Sequence, residues 1–353
     1  MLLSRAFAPH LVFVNSSSSV DCNPHLDFPF KVKPDVSIYS ANFKLFPGKL
    51  TDSAKVEIFV EFKWKYDNDP FRAPYTIQHE NSNILTFLRN TNAGDDTLGQ
   101  ITAYAAAQLG SQFRTHAYSV LIVKDTARLF RWDRSGTIVT EAFKYNESPH
   151  LVEFFRRYSK ASPEMRGNDQ SVSDPTPTES TIARRVLDLH DDAPLVKLTI
   201  PHMDGRSSLY YIAPAPRVTP YTPPGRATRG FPAYDVSRCK PVYMKDSWRV
   251  NMPDIWPEGR VYEVLKFNEV RNIPDCLSSG DIATDQYHAS KTCTYLKEPW
   301  ACLSEAQLRH FIPHRHYRLT LDVIGRPLTS FQTSYEMVSA VRDAIIGEFK
   351  LHG

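Results

Sequence analysis

Between Lys160 and Ile182 the chain reads Lys-Ala-Ser-Pro-Glu-Met-Arg-Gly-Asn-Asp-Gln-Ser-Val-Ser-Asp-Pro-Thr-Pro-Thr-Glu-Ser-Thr-Ile, with almost no large apolar side chains. Such a segment cannot bury enough surface to offset the entropy of ordering it, so it reads as a linker or mobile loop. No other feature constrains the fold as much, because the break divides the apolar residues into two separate sets. At 353 residues the chain is also longer than one core usually grows, roughly 250–300 residues. The expected organisation is a domain over 1–160, a linker over 161–190 and a second domain over 191–353.

The first domain carries both structural periods. Val56, Ile58, Val60, Phe62 and Trp64 alternate with Glu57, Phe59, Glu61, Lys63 and Lys65, which describes a strand with one apolar and one largely charged face. Residues 97–113 place Ile101, Tyr104, Ala105 and Leu109 at helical spacing. Tyr118–Val123 and Ala127–Trp132 read as two strands joined by a short turn, and residues 149–159 read as a helix. These elements predict a mixed α/β layer. Met1–Val14 is broken by Arg5, Pro9 and His10 before it reaches the length of a signal-peptide core, so it reads as a buried strand or helix end.

Three words in this region stand in a suggestive order: Pro34-Asp-Val-Ser-Ile-Tyr39, Glu61-Phe-Lys63 and Gln100-Ile-Thr-Ala-Tyr104. Together they resemble the PD-(D/E)xK nuclease superfamily. The resemblance implies that Asp35 and Glu61 hold a divalent cation such as Mg2+, which polarises a phosphate and lowers the pKa of a bound water. Lys63, two residues from Glu61, shares its strand face and could orient that water or steady developing negative charge. Gln100 and Tyr104 share one helix face and could brace the site or touch a nucleic acid backbone. The same Glu61 and Lys63 would also be found on an ordinary solvated strand face, and Pro34-Asp35 is a common way to open a turn.

The second domain carries longer words: Gly225-Arg-Ala-Thr-Arg229, Val242-Tyr-Met-Lys-Asp-Ser-Trp-Arg249 and His316-Tyr-Arg-Leu-Thr-Leu-Asp-Val-Ile-Gly-Arg-Pro-Leu328. With Arg128-Leu-Phe-Arg-Trp-Asp-Arg-Ser-Gly136 they resemble the fungal-type protein kinase family, over most of the chain from about residue 28 onward. The family implies ATP-dependent phosphorylation of protein Ser/Thr. Its lysine strand, V-A-I-K in many kinases, is matched by Val242–Lys245, and Tyr317–Leu328 looks like the strand and hinge between kinase lobes. The implied fold class is α+β: a nuclease-like α/β domain, then a kinase-like N-lobe with the hinge and the first C-lobe helices. A kinase would continue into H-R-D-x-x-x-x-N and D-F-G. Neither motif occurs in these residues, so the chain is expected to be truncated before the catalytic loop and inactive in phosphotransfer, the alternatives being the metal-dependent nuclease-like domain or a non-catalytic interaction module.

Lys245 would reach the α- and β-phosphates of ATP, with Glu258 as its helical partner. Val261, Tyr262 and Leu265 follow Glu258 at the spacing of a packed helix face, whereas the competitor Glu263 has a poorer downstream pattern. Gly225, Arg226, Thr228 and Gly230 would form the loop over the phosphates. The family-like word has glycine where Ala227 stands, so the ATP site is expected to be weak or vestigial. His310, His314, Arg315 and His316 match no zinc spacing and read as the solvated start of a strand. Ser334–Phe349 has an ordinary apolar stripe that would lack its usual partner.

A net charge of +3 does not by itself point to nucleic acid or membrane partners. Nucleic acid enters only with the nuclease-like reading, and no membrane association is expected. The sequence names no protein partner or substrate. Five cysteines without CxxC or His spacing argue against a disulfide framework or zinc site and suit the cytoplasm or nucleus.

Overall fold

The computed structural model describes residues 7–21, 31–44, 48–73, 87–201, 207–216, 222–282, 287–301 and 308–349. It divides into two compact units, each with its own sheet, and the α+β expectation holds. Among the described residues no helix is long and apolar enough to cross a membrane.

The first unit comprises residues 1–170, 216–227 and 285–314. Its main sheet path is β1 (Leu11–Asn15), β2 (Val36–Ser40), β3 (Ile58–Lys63), β4 (Ala117–Val123), β5 (Thr126–Asp133) and β6 (Gly136–Val139); β7 (Phe143–Lys144) also pairs with β5. Pairing is antiparallel except between β3 and β4, which are parallel and joined through α1 (Asn92–Ser111). A parallel pair needs such a crossover, because a hairpin can only reverse the chain. Thr91 starts α1 by accepting the Gly94 N–H at 3.1 Å.

Both faces of this sheet are covered. Phe155 and Tyr158 of α2 (His150–Lys160) join Ile38, Ile58, Val60, Val120 and Ile122 in one cluster. Ala103, Tyr104 and Ala107 of α1 join Tyr39 and Phe59 in another. The largely charged face expected for β3 is therefore not solvated: Phe59 and Glu61 are buried, whereas Phe62 and Trp64 on the supposed apolar face are exposed. Alternation was present, but a central strand crossed by helices on both sides does not keep a wet face.

The second unit comprises residues 171–215, 228–284 and 315–353. Its sheet runs in the order β13 (Cys276–Asp281), β14 (His314–Leu321), β12 (Lys240–Val250), β11 (Arg229–Asp235), β10 (Ser208–Pro214), β9 (Leu195–Pro201) and β8 (Val172–Ser173). α3 (Pro177–Val186) precedes β9, α4 (Glu258–Phe267) lies between β12 and β13, and α5 (Ser334–Phe349) follows β14.

The linker expected over 161–190 is instead folded. Thr176 and Glu179 form a capping box at the start of α3, Pro177 occupies its first turn, and Ala183 is fully buried beside Leu195, Ile212 and Tyr234. Val186, Leu187 and Leu189 pack on the same cluster, and Lys197 donates to Glu179 at 2.7 Å, so a segment whose composition argued against order is held by its cap, one buried alanine and these contacts.

The expected boundaries also shift. Arg134 donates from Nη1 to the Pro223 carbonyl at 3.0 Å, which ties 216–227 to the first unit. Buried Asp133 accepts the Lys291 and Thr292 N–H groups at 2.8 and 2.9 Å, which ties in 285–314. The N-terminal strand expectation is met by β1, with Leu11 buried. Val338, Val341 and Ile345 of α5 are exposed. Cys239, Cys276 and Cys293 are free, while Cys22 and Cys302 lie outside the described residues.

Candidate functional site

In the first unit, the residues of the three words come together at one end of β2 and β3. Asp35 immediately precedes β2, and its Oδ2 accepts the N–H of Phe62 at 2.8 Å, so its carboxylate lies beside the peptide that follows Glu61. The segment carrying Asp35 is fixed from two sides: Ser16 Oγ donates to the Pro34 carbonyl at 2.8 Å and Tyr104 OH to the Lys33 carbonyl at 2.9 Å. Tyr104 thus braces the main chain that presents Asp35. Lys63 Nζ donates to Glu61 Oε1 at 2.7 Å and to Gln100 Oε1 at 2.6 Å. Lys63 shares a strand face with Glu61, and Gln100 shares a face of α1 with Tyr104, so one contact joins the two pairs.

The electrostatics of this group are unusual for a strand surface. Glu61 is 5% exposed. Burial pushes its carboxyl above the ordinary value; Lys63 opposes that shift and the charge of Asp35 adds to it. Burial, then Glu61 and Asp35, likewise push the Tyr104 phenol up. Glu61 Oε2 is shut from solvent and makes no well-formed hydrogen bond, although the Asp35 N–H and the Tyr104 hydroxyl lie close enough to act on the carboxyl. A buried carboxylate oxygen without a well-placed donor is costly, so it marks a place where a cation or a proton is favoured. The pair of hard oxygen donors on Asp35 and Glu61 suits Mg2+ or Mn2+ chemically.

In the second unit, Lys245 Nζ lies 2.8 and 2.6 Å from the two carboxylate oxygens of Glu258. Glu258 is thus the carboxylate that meets Lys245, whereas Glu263 accepts from Arg260 at 2.7 Å on the exposed side of α4. Sequence reasoning missed what aims the helix. A Cβ on Gly259 would lie 2.0 Å from Ser279 Oγ and 2.6 Å from Tyr317 OH. The Gly259 N–H donates to that same Tyr317 hydroxyl at 2.8 Å. Glycine lets the first turn of α4 rest against β13 and β14, which directs Glu258 toward Lys245.

The residues expected to form the phosphate loop fall on both sides of the boundary between the units. Gly225 and Arg226 belong to the first unit, where the Gly225 N–H already donates to the Arg134 carbonyl at 2.8 Å. Thr228 and Gly230 belong to the second unit, and a Cβ on Gly230 would meet Tyr243 OH at 1.8 Å. Gly230 therefore accommodates a tyrosine from the neighbouring strand rather than a ligand. The Gly225 N–H and the space beside Gly230 are thus both taken up by protein groups.

His314 and His316 are buried, which corrects the solvated reading of that segment. His316 Nε2 and Arg318 Nε lie 2.8 and 2.6 Å from Asp246 Oδ1, and the Trp248 ring stacks on His316 at 4.9 Å. Burial works against the Asp246 carboxylate, yet His316 and Arg318 hold its pKa well below the usual range. No spacing rule could have found this network, because it depends on the register of strands distant in sequence.

A family model described as fungal protein kinase matches residues 71–353. No curated protein and no solved structure matches the chain.

Proposed function

The chain belongs to the fungal protein kinase family, and from that premise we propose that its second unit is a kinase-type N-lobe that anchors nucleotide weakly and transfers no phosphate. The observation that carries this reading is the Lys245–Glu258 pair, a strand lysine gripped by both oxygens of a helical carboxylate. In a kinase that pair orients the lysine toward the α- and β-phosphates. The residues in hand include no H-R-D aspartate to accept the hydroxyl proton and no D-F-G aspartate to hold magnesium. Without them, positioning and charge stabilisation, which carry phosphoryl transfer, are both lost. Free Cys239, Cys276 and Cys293 support an intracellular setting.

Two measurements test the reading. Calorimetric titration with Mg-ATP should give a dissociation constant weaker than micromolar, so less than about 8 kcal/mol of binding free energy. Incubation with radiolabelled ATP and a generic protein substrate should give no incorporation above a Lys245→Met control; incorporation above it would overturn the proposal.

A second reading attaches to the first unit, favoured by the buried Glu61 Oε2, which makes no well-formed hydrogen bond, beside Asp35. We propose that Asp35 and Glu61 hold a divalent cation in a nuclease-like site acting on nucleic acid. Such a cation, when bound, would polarise a phosphate oxygen and acidify water. Lys63, held by Glu61 and Gln100, would present its ammonium to the developing negative charge. Plasmid and single-stranded DNA should be cut in Mg2+ or Mn2+, and Glu61→Ala should abolish the cutting; an intact substrate with wild-type protein sinks this reading.

A further inference from the structure

A cleft of about 500 Å3 opens at the opposite end of β2 from Asp35. Asp35 precedes that strand and Ser40 ends it, and five extended residues span about 17 Å. The cleft is therefore separate from the Glu61 site. His10, Ser40, Asn42, Ser159, Lys160 and Arg166 line it. No carboxylate is among the lining side chains. Lys160 and Arg166 bring two cationic side chains to it.

Two features make this more than a scatter of surface cations. Arg166 Nε is shut from solvent and has no hydrogen-bond partner. Its Nη1 lies 3.7 Å from Glu57 Oε1, but Glu57 Oε2 is already committed to Arg114 at 2.9 Å and to Tyr158 OH at 2.8 Å. Its main chain is pinned as well, since the Arg166 carbonyl accepts from Arg114 Nη1 at 2.7 Å. Two further lining residues are tied together by the His10 N–H, which donates to Ser159 Oγ at 3.1 Å. The C-terminus of α2 brings roughly half an elementary negative charge, which the two cationic side chains outweigh.

We propose that this cleft binds a phosphate group carried by a small molecule. The Arg166 guanidinium and the Lys160 ammonium supply positive charge to phosphate oxygens, and the serine hydroxyls and asparagine amide can serve the remaining polar atoms. A volume within the usual ligand range of about 300–1,000 Å3 exceeds what inorganic phosphate needs, so the ligand extends beyond its phosphate. The proposal stands whether or not the nucleotide or nuclease reading holds.

Titration calorimetry with glucose 6-phosphate, glucose and inorganic phosphate tests it on the wild-type chain, Lys160→Gln and Arg166→Gln. A phosphate-bearing probe should bind, glucose should not, and each substitution should weaken binding at least tenfold. Tighter binding of the sugar phosphate supports a small-molecule ligand; tighter binding of inorganic phosphate with the same losses supports the phosphate site but overturns the extended ligand. Binding of neither phosphate, or unchanged affinity in Lys160→Gln, overturns the proposal. Lys160 is exposed, so its substitution decides the matter even if Arg166→Gln fails to fold.

Discussion

Each unit contains a lysine held by a glutamate, and the two pairs differ in geometry and surroundings. Lys63 and Glu61 sit two residues apart on one strand; the lysine is shared with Gln100, and one glutamate oxygen is left buried without a well-formed hydrogen bond. Lys245 and Glu258 meet between a strand and a helix, both glutamate oxygens engage the lysine, and both side chains remain about a quarter exposed, at 26% and 27%. The first pair has surplus acceptor capacity in a dry place beside a second carboxylate. The second is saturated within itself and open to water. A surplus favours an added cation or proton, whereas a saturated pair serves to fix the direction of its lysine.

The largest effect expected from this contrast is on the first unit. Raising MgCl2 or MnCl2 should raise the melting temperature of the wild-type chain, by the equivalent of about 2.7 kcal/mol at a hundredfold excess over the dissociation constant. Glu61→Gln should lose that response, and identical metal responses would erase the distinction. Proton linkage gives an independent check. Folded Glu61 keeps its proton to higher pH than in the unfolded chain, where the ordinary value is 4.5. The folded state therefore binds more protons above that value, and this site's contribution to stability falls as pH rises toward the higher folded pKa. Urea unfolding across that range should show a slope that Glu61→Gln flattens.

The second unit depends on close packing, and Gly259→Ala should expose that. The added methyl cannot share space with Ser279 Oγ and Tyr317 OH, so α4 must move and Glu258 with it. Overpacking of this kind costs about 1–3 kcal/mol, readable as a lower urea midpoint at unchanged slope. Ser279→Gly in the same chain should recover part of the loss. A midpoint identical to wild type would mean that α4 is not aimed by this contact.

The two sites were legible to different depths. Period two paired Glu61 with Lys63 and period 3.6 paired Gln100 with Tyr104, because strand alternation and helical spacing are local rules; that the two pairs meet was implied only by the nuclease-like resemblance. Lys245 and Glu258 were legible through Val-Tyr-Met-Lys and the apolar stripe after Glu258. Gly259 was not, since its reason lies in Ser279 and Tyr317, far along the chain. Asp246, His316 and Arg318 were hidden for the same cause. The segment read as a linker held a usable signal, Thr176-Pro-Thr-Glu179, which marks a capped helix start even where apolar content is low. Composition outweighed it because α3 buries one alanine rather than a stripe.

The smallest effect concerns the position where the family-like word has glycine. Ala227 adopts φ +43°, in the left-handed region. An L-residue with a Cβ is disfavoured there by roughly 1–2 kcal/mol, because Cβ crowds the following carbonyl oxygen. Glycine removes the crowding but gives the unfolded chain more freedom, at a cost of about 0.4–1 kcal/mol. Ala227→Gly should therefore stabilise the chain by about half to one kcal/mol, a small upward shift in urea midpoint. Nucleotide affinity offers a sharper reading of the same change. The neighbouring Gly225 N–H is committed to Arg134, and Gly230 is filled by Tyr243. Restoring glycine at 227 should thus leave the Mg-ATP dissociation constant within twofold of wild type. A tenfold gain in affinity would mean that one methyl group alone keeps the loop from phosphate, and the saturated pair would then belong to a nearly complete site.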